Sequence, residues 1–276
     1  MKLLITGICG FVGSTLAKSL TATNGVDKII GIDNLSRPGS YLNRQPLLDL
    51  GIDVRHGDIR NQSDVDSLPK CDWVLDAAAN PSVLAGVDGK TSSRQLIEHN
   101  LAGTINLLEY CKQHASGFNL LSTSRVYSIP GLAELKMNTR DDAFTPDPDQ
   151  AFPLGITPAG VGETYTTLPP VSLYGSTKVT SEHPALEYGS TFDFPAWVNR
   201  CGVMASASQF GHPAQGIFAY WIHAFPENQP LKYIGFGGHG HRVRDCLHPN
   251  DLVPLLQRQF AEPLTTHHHQ AANRQR

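Results

Sequence analysis

The chain has 276 residues, 40% of them hydrophobic and 17% charged, with a formal net charge of -3. That is enough chain for one large α/β domain, or for one domain with a smaller lobe. The near-neutral balance argues against nucleic acid or an anionic membrane as partner, and no apolar run approaches the length of a membrane span.

In chain order, Leu3, Leu4 and Ile5 form a short apolar run that reads as a buried parallel strand. It ends at Thr6-Gly7, and a helical pattern follows with Phe11, Val12, Leu16 and Leu20 on one face. Gly7, Gly10 and Gly13 stand three apart at the turn. Such a turn needs a sharp exit from the strand, a backbone close enough to bond a pyrophosphate, and a helix whose free N–H groups face the anion. A second apolar run, Lys28 to Ile32, ends at Asp33-Asn34, where a dinucleotide-binding fold places the carboxylate that accepts the adenosine ribose hydroxyls. Arg37 is the counterweight, because a guanidinium there can pair with a 2′-phosphate. The carboxylate stands at the strand end itself, so NAD is the expected cofactor.

A polar, leucine-punctuated segment to about Leu50 reads as a short helix, and Ile52 to Arg55 as a third strand closed by His56-Gly57-Asp58-Ile59-Arg60. Trp73 to Asp76 is a fourth strand, running into Ala77-Ala78-Ala79-Asn80-Pro81. Helical spacing from Ser92 to His114 precedes a fifth strand, Phe118 to Leu121, which ends at Ser122-Thr123-Ser124. The alternation predicts a doubly wound parallel sheet. Residues 129–171, rich in Pro, Thr, Asp and Gly, form an irregular excursion of the kind that serves as a lid or binding wall. Helical pattern resumes from Ser172 to about Tyr188, and a sixth strand, Phe194 to Val198, ends at Asn199-Arg200-Cys201-Gly202-Val203. A helix from Gly216 to Ala224, a strand near Tyr233, a glycine loop at 235–240 and a helix from Pro249 to Phe260 complete the pattern. The glycine loop lacks the lysine of a phosphate-binding P-loop and reads as a turn.

Five cysteines (Cys9, Cys71, Cys111, Cys201 and Cys246) are odd in number and form no C-x-x-C pair, so they read as reduced thiols in a cytoplasmic protein. The opening apolar run is too short for a signal peptide. His267 to His269 lie in a polar tail, and no metal-ligand spacing appears elsewhere.

Tyr174 and Lys178 stand four apart on a predicted helix and so share a face. A cation there can lower the phenol pKa, making the tyrosine a usable proton carrier. Together with the glycine turn, Asp33 and the Ser/Thr strand end, this resembles an extended short-chain dehydrogenase/reductase of the NAD-dependent sugar-nucleotide epimerase/dehydratase family. The resemblance covers nearly the whole chain. It implies cofactor contacts from Gly7, Gly10, Phe11, Val12 and Gly13, from Asp33, Asn34, Asp58 and Ile59, and from Ala77, Ala78 and Ala79. It adds Asn100, Tyr174, Lys178, Cys201 and Val203 to the same set. Thr123, three places before Val126, matches the family's active hydroxyl, giving Thr123, Tyr174 and Lys178 as the catalytic group. Asn80, Thr123, Ser124, Arg125, Gln209, Gln215 and Arg244 are implied substrate contacts.

Within the family, Asn199 to Val203, Gln209-Phe210-Gly211 and Gln215 to Phe218 are similar to the CDP-paratose (CDP-tyvelose) 2-epimerase branch. The 4,6-dehydratase branch carries Asp-Glu directly after the catalytic Thr, whereas Ser124-Arg125 stand here. The resemblance thus implies a nucleotide-sugar epimerase. Tyr174 takes a proton from a sugar hydroxyl as hydride passes to NAD, the keto-sugar turns over, and hydride returns to its other face. A one-way dehydrogenase or reductase, and an NAD-binding relative without turnover, remain as alternatives. The expected division is a Rossmann domain over 1–204 and a substrate lobe over 205–276. Relatives continue beyond the segment matching Asp251-Leu252-Val253, so the lobe is expected to be incomplete. A nucleotide-sugar is the expected partner, and a homodimer is allowed for.

Overall fold

The computed structural model describes residues 1–87, 89, 92–140, 143–206, 209, 216–232 and 243–263. The chain opens with β1 (Lys2–Thr6), α1 (Phe11–Thr21) and β2 (Lys28–Asp33). A 3₁₀ turn leads into α2 (Arg44–Asp49), and β3 (Asp53–His56) follows. The next elements are α3 (Gln62–Asp66), which the sequence pattern does not reveal, and β4 (Trp73–Asp76). The expected long helix is α4 (Ser93–Ile97) and α5 (Gly103–His114), joined by a π-helical turn at Glu98–Ala102. Then comes β5 (Gly117–Thr123).

Strands β1 to β5 and β10 (Ala196–Cys201) form one parallel sheet in the order β3-β2-β1-β4-β5-β10. The chain runs outward from β1 to β3, then crosses back to β4, which opens a crevice at the carboxyl ends of β1 and β4. Successive strand residues serve opposite faces, and both faces are covered. Leu3, Ile5, Trp73 and Leu75 enter one core, whereas Leu4, Val74, Phe118 and Leu120 enter the other. Two covered faces explain why these strands read as continuous apolar runs.

The 129–171 excursion contains α6 (Ile129–Ala133) and two short hairpins, β6 (Met137–Arg140) with β7 (Ala143–Pro146) and β8 (Ile156–Thr157) with β9 (Gly160–Val161). It has a small apolar centre of Val126, Tyr127, Ile156 and Tyr165. The long helix α7 (Leu173–Phe192) leads to β10, and β11 (Val203–Met204) pairs in parallel with β12 (Cys246–Leu247). Between these two strands lies α8 (Ile217–Ala224). The final helix, α9 (Val253–Phe260), returns to the sheet, where Val253, Leu256 and Phe260 join the first core and Phe260 meets Trp73 at 5.3 Å. Phe210-Gly211, Gln215, the strand expected near Tyr233, the glycine loop and His267 to His269 lie outside the described residues.

All five cysteines are free, and four are buried. Among the described residues, no helix is long and apolar enough to cross a membrane, and no cluster of His, Cys, Asp or Glu is suited to a metal ion.

Candidate active site

The carboxyl ends of β1, β2, β4 and β5 bring the expected residues to one edge of the sheet. Gly7 has φ +59, a left-handed conformation that favours glycine. A Cβ there would come within 2.9 Å of the Ala78 Cα and 3.1 Å of the Ala77 carbonyl. The turn and the 77–79 run therefore touch backbone to backbone. Gly13 serves the same turn, since a Cβ on it would overlap the Gly7 carbonyl. Gly10 caps α1 without a side-chain bond, and the first turn of α1 carries no acidic residue. The free N–H groups of this first turn suit a pyrophosphate. Phe11 and Val12 are half-buried here, and the buried face of α1 is Gly13, Ser14, Leu16, Ala17 and Leu20.

Asp33 ends β2, and its two carboxylate oxygens accept the Cys9 N–H at 2.9 Å and the Leu35 N–H at 2.8 Å. Burial raises its pKa, and those backbone donors oppose the shift. Carboxylate oxygens retain acceptor capacity for hydroxyls but would repel a phosphate. Asp58 is engaged within the protein. Its carboxylate pairs with Arg60 (2.6 Å) and accepts from Asn34 (2.9 Å), which holds it well below the usual carboxylate range. Ile59 is buried in the second core, against Gly103.

At the carboxyl end of β5, Thr123 Oγ1 accepts the Arg125 N–H at 3.2 Å, and its hydroxyl lies beside the Tyr174 phenol and lowers that phenol's pKa. Tyr174 packs with Val83, Ala85 and Leu96. The phenol is pushed up to about 12 by burial, opposed by the Thr123 hydroxyl and the Arg125 guanidinium. This reverses the expectation that the lysine one turn away lowers it. Lys178 turns its ammonium to the Leu121 carbonyl at 3.0 Å, is 2% exposed, and has its own pKa lowered by burial. Asp76 and Glu182 act against that shift.

Asn100 lies in the π-helical turn and is 1% exposed. Its amide accepts the Asn80 N–H (2.7 Å) and donates to the Asn80 carbonyl (3.1 Å) and to Thr177 Oγ1 (3.1 Å). It thus brackets the loop after β4 to the helix that carries Tyr174. Asp76, which the sequence reading leaves as a plain strand end, accepts the Thr6 hydroxyl (2.7 Å) and the Thr104 hydroxyl (3.0 Å). Thr6 in turn accepts the Ala78 N–H at 3.0 Å. An acid closing a fully buried strand was the available signal. Cys201 is buried with its thiol raised to about 12 by burial, as is Cys9, so neither is disposed to act as a nucleophile. Val203 is half-buried in β11. Ser124 and Arg125 are half-buried in the turn after Thr123. Gln209 reaches the Met204 carbonyl at 3.4 Å, and Arg244 is exposed, donating to the Val243 carbonyl at 2.9 Å.

A doubly wound sheet with a glycine turn at its crevice and a Thr-Tyr-Lys group beside it defines a dinucleotide-binding protein of the short-chain dehydrogenase/reductase type. The chain belongs to the NAD-dependent epimerase/dehydratase family, whose model matches residues 3–271. It is 34% identical over 263 residues to the CDP-paratose 2-epimerase of Salmonella typhi, covering 92% of this chain and 73% of that one. It is 27% identical over 274 residues to the dTDP-glucose 4,6-dehydratase of Salmonella typhimurium, covering 93% and 67%. Among solved structures, the UDP-glucuronic acid 4-epimerase of Bacillus cereus, in complex with UDP-glucuronic acid and NAD, is 25% identical. The TM-score is 0.69, with 96% of this chain and 75% of that chain covered.

Proposed function

We propose that this protein is an NAD-dependent epimerase of nucleotide-activated sugars. The observation that carries the reading is the Tyr174 phenol set beside the Thr123 hydroxyl, at the sheet edge that holds the glycine turn, with Lys178 one helical turn on. Bound NAD supplies a hydride acceptor and donor together with a positive charge. The first turn of α1 and the 77–79 backbone would hold its pyrophosphate, and Asp33 would accept its ribose hydroxyls. Thr123 holds the reacting sugar oxygen, and Tyr174 takes the hydroxyl proton and returns it after the sugar has turned over. Lys178 lies beneath the strand end, where burial disfavours its charge and Asp76, Cys201 and Glu182 favour it. Ser124 and Arg125 stand where a dehydratase would carry its acid pair, which favours epimerisation over loss of water. Arg244 anchors the substrate diphosphate, with Asn80, Ser124, Arg125 and Gln209 on the sugar side; Gln215, implied by the resemblance, lies outside the described residues.

The similarity to a CDP-paratose 2-epimerase makes a cytidine nucleotide the first candidate. The proposed division gives cofactor binding to 1–204 and substrate binding to residues beyond it together with the 129–171 excursion. A homodimer belongs to the same proposal, since α5 and α7 leave Ile105 and Leu186 exposed. So does a cytoplasmic location, in keeping with free thiols.

The test is to purify the protein without added cofactor, identify any retained dinucleotide by mass spectrometry, and follow CDP-, UDP-, GDP- and dTDP-sugars by NMR. One sugar inverted at one carbon with no net NADH is expected. Stoichiometric NADH formation would replace the epimerase with a dehydrogenase, and NAD binding with no sugar turned over would leave a non-catalytic relative.

A further inference from the structure

Arg200 joins four parts of the molecule that the proposed chemistry needs together. It stands on β10 opposite Ser122 of β5. Its Nε lies 3.2 and 3.1 Å from the two carboxylate oxygens of Glu182, and its Nη2 lies 2.7 Å from one of them. Glu182 is on α7, four residues beyond Lys178, with its side chain 3% exposed. The same carboxylate accepts the Ser122 hydroxyl at 2.5 Å. Ser122 sits between Leu121, whose carbonyl holds Lys178, and Thr123, whose hydroxyl lies beside the Tyr174 phenol. On its other side, the Arg200 guanidinium lies over the Tyr127 ring at 5.3 Å, and its Nη1 donates to the Glu163 carbonyl at 3.3 Å. Tyr127 and Tyr165 belong to the apolar centre that seats the excursion, and Glu163 is part of the excursion.

A buried ion pair is weak grounds for stability, because apolar residues of similar volume often do as well. A forked guanidinium–carboxylate pair instead fixes geometry. We propose that Arg200, acting through Glu182, is a positioning residue that locks the 129–171 excursion to the catalytic helix. The excursion wall and the Thr123–Tyr174–Lys178 group then close on the sugar as one unit. What that unit acts on rests on the epimerase reading above. The lock includes neither the glycine turn nor Asp33, so the proposed pyrophosphate and adenosine-ribose contacts lie outside it and most of the cofactor's hold should survive its loss. Arg200 also offsets the Glu182 charge. The other groups acting on Lys178 and Tyr174 are Asp76 of β4, Cys201 of β10, and Thr123 and Arg125 at the end of β5. Without the guanidinium, the negative charge of the Glu182–Lys178 side of α7 loses its counter-charge, and a proton is held there to higher pH, on Glu182 itself or on its neighbours.

The test compares the wild type with Arg200→Lys, Arg200→Met and the double variant Arg200→Met/Glu182→Gln, with NAD bound for proteolysis and kinetics and removed for calorimetry. Limited proteolysis reads the excursion, calorimetry reads NAD affinity, and steady-state kinetics across pH read the chemistry. In Arg200→Met, cleavage within 129–171 should rise by about tenfold. NAD affinity should hold within about twofold, while kcat/KM should fall by roughly 10² as the reacting groups lose alignment. The pH profile should move alkaline. Arg200→Lys should keep the wild-type profile with intermediate protection, and the double variant should recover the profile without the protection. Wild-type protection in Arg200→Met, or a loss of NAD affinity matching the loss of activity, would overturn the proposal. Should the wild type turn over no nucleotide-sugar, the epimerase reading fails, while proteolysis and calorimetry still decide the lock.

Discussion

Tyr174 and Lys178 are both taken out of water, and each responds by favouring its neutral form. Burial raises the phenol to about 12 and lowers the lysine, so the phenol relies on the groups that oppose burial. Two of these are within the chain, the Thr123 hydroxyl and the Arg125 charge. Tyr174→Phe keeps the ring against Val83, Ala85 and Leu96. Calorimetry should therefore find NAD binding intact, while epimerisation falls by about 10²-fold or more. Thr123→Val should cost less and Ser124→Ala least, and an equal loss in Ser124→Ala would place the active hydroxyl one residue later. Arg125 gives a pH test. Removing its charge raises the phenol pKa, so in Arg125→Met the acid limb of kcat/KM should move to higher pH and activity at neutral pH should fall. Arg125→Lys should bring the limb back. An unmoved limb in Arg125→Met would show that the phenol does not govern it.

At the scale of elements, the catalytic helix must approach the end of β5 closely, and Gly175 permits it. A Cβ on Gly175 would overlap the Arg125 carbonyl oxygen, which belongs to the turn that begins at Thr123. The same first turn is capped by Ser172, whose hydroxyl accepts the Gly175 N–H at 3.0 Å from a residue held at φ 95. That is an uncommon conformation for a non-glycine residue, of the kind that clusters at functional sites. Gly175→Ala should push α7 away from β5 and part Tyr174 from Thr123. A displacement near 1 Å can cost about 10²-fold in rate. Turnover should fall on that order while NAD affinity changes little, because the glycine turn of α1 is untouched. Unchanged turnover in a folded Gly175→Ala protein would mean the helix yields without moving Tyr174. Gly175 carries no signal in the sequence, where it sits inside an ordinary helical pattern. By contrast, the strands were legible because they are covered on both faces and read as unbroken apolar runs. Leu3 to Ile5 and Trp73 to Leu75 are examples. The shared face of Tyr174 and Lys178 was legible because their spacing survives in the linear order, and Thr123 joined them only through the family resemblance. Asp76, Glu182 and the Asn100–Asn80 bracket were not, since a buried polar residue looks like a surface one until its partner is known. The Glu182 and Asn100 partners stand 18 and 20 residues away.

Across the whole molecule, the last described helix is fastened to the sheet by a closed ring of three buried amides. Asn119 of β5 donates to Gln259 of α9 at 2.6 Å, and Gln259 donates to Asn199 of β10 at 2.9 Å. Asn199 donates back to Asn119 at 2.8 Å and to Gln259 at 3.1 Å. The contacts span up to 140 residues, so no local pattern announces them. Apolar packing of Phe260 on Trp73 draws α9 to the sheet but is tolerant of sliding, whereas the amide ring accepts one register. Gln259→Leu would leave the Asn119 amide without its acceptor and the Asn199 carbonyl without its donor. At roughly 1–3 kcal/mol for each buried group left unpaired, the loss should be about 2–6 kcal/mol, readable as a lower denaturation midpoint. None of the residues proposed to hold NAD or the reacting sugar lies on α9. In the folded fraction, NAD affinity and the pH profile should therefore match the wild type. A Gln259→Leu protein of normal stability would show that packing alone seats the helix. A stable one with weakened NAD binding would place α9 in the cofactor site's support.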